Sequence, residues 1–355
     1  MKNYIIKRLL LIPITLFGIL LINFAIIQLA PGGPVEYMLA QYKGINTSAT
    51  GNINSGIPNI NEQKYQGSKG VPSDLVKELE KQFGFDKPVH IRFIKMIKDY
   101  ISFDFGKSYY KDKTVIELIK ERLPISISLG LWSTILIYLI AIPLGIKKAK
   151  EDGEKFDIIS SFIIFIGSAI PVFLFAVLLI VLFAGGTYFN IFPLKGITSD
   201  GWENFSLTHK ILDYFWHITL PTICIVIGGV ASLTMLTKNS FIDELSKQYV
   251  LTARAKGIPE NKILYKHVFR NAMMIIIAGL PALLIKILFT GSLLIEIIFS
   301  LNGMGLLGYE AIITRDYPVI FGTLYIFALL GLVLKLISDL TYSLVDPRVN
   351  FEKIL

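Results

Sequence analysis

The sequence predicts an all-α polytopic membrane protein, from its composition, the length of its apolar runs and the placement of its basic residues. Of 355 residues, 53% are hydrophobic and 17% charged, with a mean hydropathy of +0.59; soluble domains carry about 25% charged residues. A helix needs about 20 mainly apolar residues to cross the roughly 30 Å hydrocarbon core of a bilayer. Windows at 9–30, 124–146, 158–184, 218–237, 272–299 and 319–344 meet that length. Six crossings put both termini on one side.

The basic residues assign that side. With both termini cytoplasmic, segments 1–8, 147–157, 238–271 and 345–355 carry 3, 4, 7 and 2 Lys or Arg, against 2 and 1 in the short outer loops 185–217 and 300–318. This is the positive-inside pattern. The long segment 31–123 carries fourteen basic and eleven acidic residues, but loops of that length translocate largely regardless of charge. The net charge of +8 therefore reports topology and gives no ground for nucleic-acid binding.

At the N-terminus, Lys2, Lys7 and Arg8 precede the first window as in a signal peptide, but the apolar run is too long and Ala30-Pro31-Gly32 is a poor cleavage site, so it reads as a retained first span. Residues 1–30 are thus a cytoplasmic tip and helix, followed by an extracytoplasmic region 31–123. Within it, 44–70 is rich in Gly, Asn and Ser and poor in large apolar residues, which predicts a flexible insert. Leu75, Leu79 and Phe83 then recur at helical spacing, and Pro88 opens a run in which Val89, Phe93, Ile97 and Ile101 share a face. Thr114 and Glu117 form a capping box for a third helix running into Pro124. These short amphipathic helices either cap the mouth of the bundle or dock a soluble partner.

The remainder divides into a transmembrane core, 124–344, containing the cytoplasmic loop 238–271, and a cytoplasmic tail, 345–355. Gly145, Gly167, Gly228 and Gly229 offer small packing surfaces between spans. Pro171 sits near the middle of the third window, where a kink would expose carbonyls that a water-filled path could satisfy. Lys286 lies halfway along the fifth; a charge there costs about 2.5 to 3.5 kcal/mol unless it faces protein or water, so it is expected to face the bundle interior or a partner subunit. Glu296, near the outer end of that window, could reach the interface. Pro171, Lys286 and Glu296 are the candidate path residues.

Catalytic constellations are missing. The sequence has no HExxH and no GxSxG, and His90, His209, His217 and His267 are scattered. The single cysteine, Cys224, reads as a small buried residue and rules out a disulfide framework or thiolate metal site. Gly106-Lys107-Ser108 looks like the end of a phosphate-binding loop, but Ile101 stands where that motif needs glycine. The chain is therefore expected to hold no catalytic residue, metal or cofactor of its own, and ATP-driven transport would need a separate ATPase.

One basic segment remains, 249–271, YVLTARAKGIPENKILYKHVFRN. Residues 241–255 have helical spacing, Gly257 stops the helix, and Pro259 with Glu260 restarts one carrying Lys262, Lys266 and Arg270. Two helices with a sharp bend are predicted, presenting the small residues Ala253 and Ala255 to a neighbour. The neighbour is either a protein cleft or the anionic inner leaflet, which attracts each basic residue by about 1 kcal/mol.

YVLTARAKG followed by HVFRNAM resembles the EAA-type loop of ABC importer permeases of the dipeptide and oligopeptide branch. The likeness extends through RLLLIPITLFGILLINFAIIQLAPGGPV, FGFDKP, FDFGKS, SLLIEIIFSLNGMGLLGYEAIITRDYPV and DLTYSLVDPR, nearly the whole chain apart from the Gly/Asn insert. APGGPVEYM, EKQFGFDKP, ISLGLW, KILDYFWHITLP and MLTKNSF resemble most the Yej-type permeases of microcin C and peptide uptake.

The resemblance implies a type I importer permease fold in the bacterial inner membrane, forming half of a path with a second permease subunit. A solute-binding protein would deliver a peptide from outside, and cytoplasmic ATPase subunits would hold ATP and Mg. It assigns the ATPase seat to Tyr249, Thr252, Ala253, Arg254, Ala255, Lys256 and Gly257. Leu251 stands where many permeases have the acidic residue of the EAA pattern, which weakens a salt-bridge model of coupling. A permease for another small solute, such as a nickel chelate, and an ATP-independent channel or secondary transporter are the alternatives. The last would need an intramembrane carboxylate relay or broken helices in inverted repeats.

Overall fold

The computed structural model describes residues 2–29, 86–186, 188–289 and 293–345, with backbone alone at 2–4, 26–29, 281–289 and 341–345. The insert 44–70, the run through Leu75, Leu79 and Phe83, the Lys286 side chain and the tail beyond 345 lie outside the described residues. The elements are α1 (Lys2–Leu29), α2 (Val89–Ile101), α3 (Val115–Lys150), α4 (Lys155–Ala169), α5 (Val172–Phe183), α6 (Leu207–Leu245), α7 (Gln248–Ala255), α8 (Phe269–Phe289), α9 (Leu293–Ile298), α10 (Met304–Thr314) and α11 (Tyr317–Val345). One turn of helix, Glu260–Lys262, and a π segment, Ile263–Val268, lead into α8. Among the described residues there is no strand, in agreement with the all-α expectation.

Among the described residues, five helical stretches are long and apolar enough to cross a bilayer: Ile5–Ala25, Val115–Lys150, Leu207–Leu245, Glu260–Leu280 and Tyr317–Leu340. Among these residues a sixth crossing is reached if α4 and α5 count as one, and they meet at 91°. The third window is therefore broken, beyond the kink expected of Pro171. Proline lacks the N–H that would continue the ladder and drives its predecessor out of the helical region; Ile170 accordingly sits at φ −79°, ψ 122°.

α3 and α6 overrun the bilayer. At 1.5 Å per residue their 36 and 39 residues measure about 54 and 58 Å, well over the roughly 30 Å core. α3 starts at the expected capping box: Thr114 N–H donates to Glu117 Oε2 at 2.8 Å, and Glu117 N–H to Thr114 Oγ1 at 3.3 Å. It then runs without a break through Pro124 and Pro143.

The described residues form two compact units. One is built on Arg122–Leu306, with the end of α11 from Gly331. Here α3 and α6 touch through glycine, since a Cβ at Gly145 would collide with Thr237 and one at Gly229 with Ile137. Close helix approach of this kind is how membrane bundles gain dispersion contacts without a hydrophobic driving force. Around that seam Ile137, Ala141, Leu233, Phe241, Ala272 and Ile276 form a core. A second core gathers Leu129, Leu179, Ile218 and Phe299 around the buried Cys224. The segment before α6 is tied to it by Asp213, which accepts from Ser199 N–H at 2.9 Å and Ser199 Oγ at 2.5 Å.

The other unit comprises Ile6–Glu121, which takes in α1 from Ile6 and α2, and Leu307–Leu330. Its centre is aromatic, with Tyr100 4.8 Å from Phe105 and 5.5 Å from Tyr325 between ring centroids. The predicted stripe on α2 holds only in its middle: Phe93 and Ile97 are half-buried, Val89 and Ile101 are exposed, and Tyr100 is the buried anchor. Ser108 of the Gly-Lys-Ser run donates its hydroxyl to Asp316, which also accepts Tyr109 N–H at 3.2 Å. That run is a structural turn.

The α3–α6 seam makes a stability prediction. Gly145→Ala is expected to cost about 1 to 3 kcal/mol, as overpacking does, whereas Gly279→Ala, with nothing within 4 Å of its added methyl, is expected to be neutral. Thermal unfolding of the two variants in detergent checks it.

Candidate functional site

The loop between α6 and α8 is mounted on a carboxylate. The expected single helix over 241–255 is two, because α6 ends at Leu245 and α7 begins at Gln248, with Lys247 extended at φ −75°, ψ 151°. Ser246 sits at the break and donates its hydroxyl to the Asp243 carbonyl at 2.8 Å, the local competition that lets serine end a helix. Glu244, in the last turn of α6 and buried, anchors the neighbouring segments. It accepts from Lys247 Nζ, from the Tyr249 hydroxyl at 2.9 Å and from Asn271 Nδ2 at 2.9 Å. Three elements, α6, α7 and α8, therefore meet at one side chain. Burial, with the bond donated to Glu244, pushes the Tyr249 hydroxyl up to about 12, so it remains a donor throughout the physiological range.

Of the residues assigned to the seat, Ala253 alone is buried; its neighbours Val250 and Leu251, outside that assignment, complete the two faces of α7. Val250 is fully buried and Ala253 is 8% exposed, both packed into the core with Phe241, Ile263 and Val268. Leu251 is 55% exposed, and Thr252, Arg254, Ala255, Lys256 and Gly257 are exposed with it. Ala253 is thus not the outward-facing small residue expected; it points in because Val250 and Ala253, three apart, share the helix face that meets the core. The outward surface is Leu251, Thr252 and Ala255, with Lys256 at its rim.

The bend after α7 is closed by hydrogen bonds. Gly257 lies in the left-handed region at φ 73°; its N–H donates to Arg254 O at 2.9 Å, and Ile258 N–H to Ala253 O at 3.2 Å. This is the Schellman pair of bonds, which needs glycine at that position. Across the bend, Arg254 grips Glu260 with two bonds, 2.7 Å from Nε and 3.2 Å from Nη2. Exposed as it is, the pair adds little stability, but it neutralises Arg254. Lys238, Lys247 and Arg254 are all ion-paired within the chain, which leaves less free charge to attract a lipid surface than the count of seven suggests.

The expected path residues belong to other elements. Pro171 marks the α4–α5 break, and an open groove of about 530 Å3 runs between α4 and α6, lined by Ser161, Phe162, Phe165, Ser168 and Met235. Glu296 is fully buried and so does not reach the interface. The turn before α10 wraps its carboxylate, which accepts Leu306 N–H at 2.7 Å and the Ser126 hydroxyl at 3.3 Å, and a Cβ at Gly303 would collide with it.

Sequence reasoning missed Glu244, Asn271 and a second ionic group. Fully buried Lys148 donates to Ser160 Oγ at 2.8 Å, Ser161 Oγ at 2.7 Å and the Asp157 carbonyl at 2.9 Å. An ammonium has three protons, all thereby engaged, so Asp157 Oδ1, also at 2.9 Å, is held by charge alone. Lys238 of α6 bridges Asp157 and Asp152, each at 2.7 Å. The readable signal was an acidic residue inside a basic segment: Glu244 ahead of Tyr249, Asp157 after Lys155.

A sequence model of the family described as "Binding-protein-dependent transport system inner membrane component" matches residues 141–351, which take in α4 to α11 and the whole loop. The chain belongs to this family. Among similar proteins, the inner membrane ABC transporter permease protein YejB of Escherichia coli O157:H7 is 56% identical, over 99% of this chain and all of the relative. The peptidoglycan transport system permease protein YejB of Agrobacterium fabrum is 54% identical over 99% of each. The oligopeptide transport system permease protein AppB of Bacillus subtilis is 35% identical, over 99% of this chain and all of the relative. The expected resemblance to peptide-branch permeases, and to Yej-type members in particular, is borne out. The permease is a multi-pass inner-membrane subunit of an ABC importer, with the type I permease fold. Proteins of its family act with an ATPase and a binding protein.

Glu244 makes the loop's order measurable. Glu244→Ala removes charged hydrogen bonds worth about 1.5 to 3 kcal/mol, so the backbone amides of α7 are expected to exchange about ten- to a hundredfold faster by hydrogen–deuterium exchange, with those of α3 unchanged.

Proposed function

We propose that α7 is the coupling helix of this permease, seated in a cleft of a separate ATPase subunit through Leu251, Thr252 and Ala255, with Tyr249, Arg254, Lys256 and Gly257 fixing its position and bend. The observation that carries this reading is the exposed Leu251–Thr252–Ala255 surface on a helix anchored on its opposite face. Exposed apolar surface on a rigid mount favours a protein partner, and the internal pairing of basic residues argues against a purely electrostatic hold on the leaflet. Leu251 in the acidic position of the EAA pattern makes the contact one of shape and apolar area.

In this reading both termini are cytoplasmic, as the Lys and Arg bias supports, and ATP and Mg are bound by the partner. Residues 31–123 face the binding protein, 124–344 form half of the path, and a second permease subunit forms the other half. The cargo is a peptide, in line with the relatives of the oligopeptide and dipeptide systems. The Pro171 break and the Lys286 region border the path; Glu296, enclosed within the chain, does not.

Coupling then is a matter of populations. Moving a two-state bundle from 1:99 to 99:1 takes about 5.5 kcal/mol of differential binding. ATP-driven closure of the partner delivers this through α7 only if α7 moves with α6 and α8, the condition that the Glu244 bonds satisfy.

Two substitutions separate surface from mount. Leu251→Asp is expected to leave thermal unfolding unchanged while reducing ATPase recovery in the purified complex, and peptide uptake, by about tenfold, the loss of one buried leucine contact. Ala253→Asp buries an unpaired charge and is expected to destabilise the chain itself by about 3 kcal/mol or more. Normal uptake by a stably inserted Leu251→Asp permease would refute the seat.

A further inference from the structure

The Lys148, Asp157 and Lys238 group lies outside the loop, yet it joins the elements on either side of the groove. Lys148 belongs to α3, Asp157, Ser160 and Ser161 to α4, and Lys238 to α6. Asp157 accepts from Lys238 and from Gly153 N–H at 3.1 Å, while Asp152 takes the far side of Lys238. Two lysines and two aspartates balance in charge. Beyond them, Lys147 lies 3.9 Å over the Phe156 ring.

Such a group is an expensive way to gain stability. Two buried ions lose their hydration, and apolar residues of the same volume often serve a fold as well. What ions supply in addition is direction, because a charge network tolerates one register between its elements and penalises others. Here the fixed register is that of α4 against α6. On α6, Lys238 lies six residues before Glu244, about 9 Å along the axis, so one helix carries both the mount of α7 and the clamp on α4. Ser161 takes part in the clamp and also lines the groove, with Ser168 two turns further toward the Pro171 break.

We propose that Lys148, Asp157 and Lys238 are positioning residues that clamp α4 to α6, so that a displacement of α7 is passed to the groove-lining face of α4 and to the break beyond it. This rests on the reading of α7 as the coupling helix. With the clamp loosened, α6 would still move with α7 while α4 lagged.

The chain's only cysteine, Cys224, is 1% exposed, so within this subunit a cysteine placed at exposed Ser168 is labelled selectively, and the label is read on the separated subunit. The test uses the whole transporter, with its ATPase and second permease subunit, in proteoliposomes, and compares maleimide labelling of Ser168→Cys with and without a non-hydrolysable ATP analogue. The analogue is expected to change the rate about threefold or more when the clamp is intact, and by less than about 1.5-fold in the Asp157→Asn background, with ATP hydrolysis retained. An undiminished response in Asp157→Asn overturns the proposal, as does no response in the intact permease. If Asp157→Asn fails to assemble, the paired apolar replacement Lys148→Met with Asp157→Leu is read by the same criterion. Failure of the α7 seat registers elsewhere, as full ATPase recovery with Leu251→Asp, so the two ideas fall separately.

Discussion

The carboxylate of Glu244 is the constraint on which the loop between α6 and α8 depends. A helix of eight residues has no stability of its own in water, since isolated helices shorter than about twelve residues are marginal. α7 exists because its inner face, Val250 and Ala253, is buried and because Glu244 holds Tyr249 at its first turn and Asn271 at the start of α8. The Gly257 bend fixes the other end. Held at both ends, the helix is left with one free surface, and the residues on that surface define the kind of partner it can meet.

Charge placement obeys a related logic. Basic residues near helix ends set topology in the sequence, but in the folded chain several of them are structural. Lys148 counts toward the positive-inside bias and is also fully buried among the serines of α4. Lys238 and Arg254 are likewise held by carboxylates. A count of basic residues therefore overstates the charge available at the surface.

Much of the fold was legible because bilayer physics is severe. The helical character of the apolar windows, the capping box at Thr114 and Glu117, the stop at Gly257 and the restart at Pro259 each rest on a local rule, and the capping box, the stop and the restart appear as expected. What the sequence concealed depends on partners distant along the chain. The anchoring of the loop on Glu244, the inward turn of Ala253 and the enclosure of Glu296 are decided by Asn271, by Phe241 and the π segment, and by the turn at Gly303. A helical periodicity locates a face without saying what covers it. The third window shows the opposite case, a proline whose local effect was anticipated in kind and underestimated in size.

α6 is continuous from Leu207 to Leu245 despite Pro221. Asp213 fastens the segment before it at one end, and Glu244 fastens α7 at the other. A rod of about 58 Å that pivots by about 5° carries its far end through about 5 Å, roughly one helical turn. No hydrogen bond within the helix need change for that displacement to appear, so a small angle at one end of such a rod would become a helical turn of travel at the other, where side-chain contacts could pass it on.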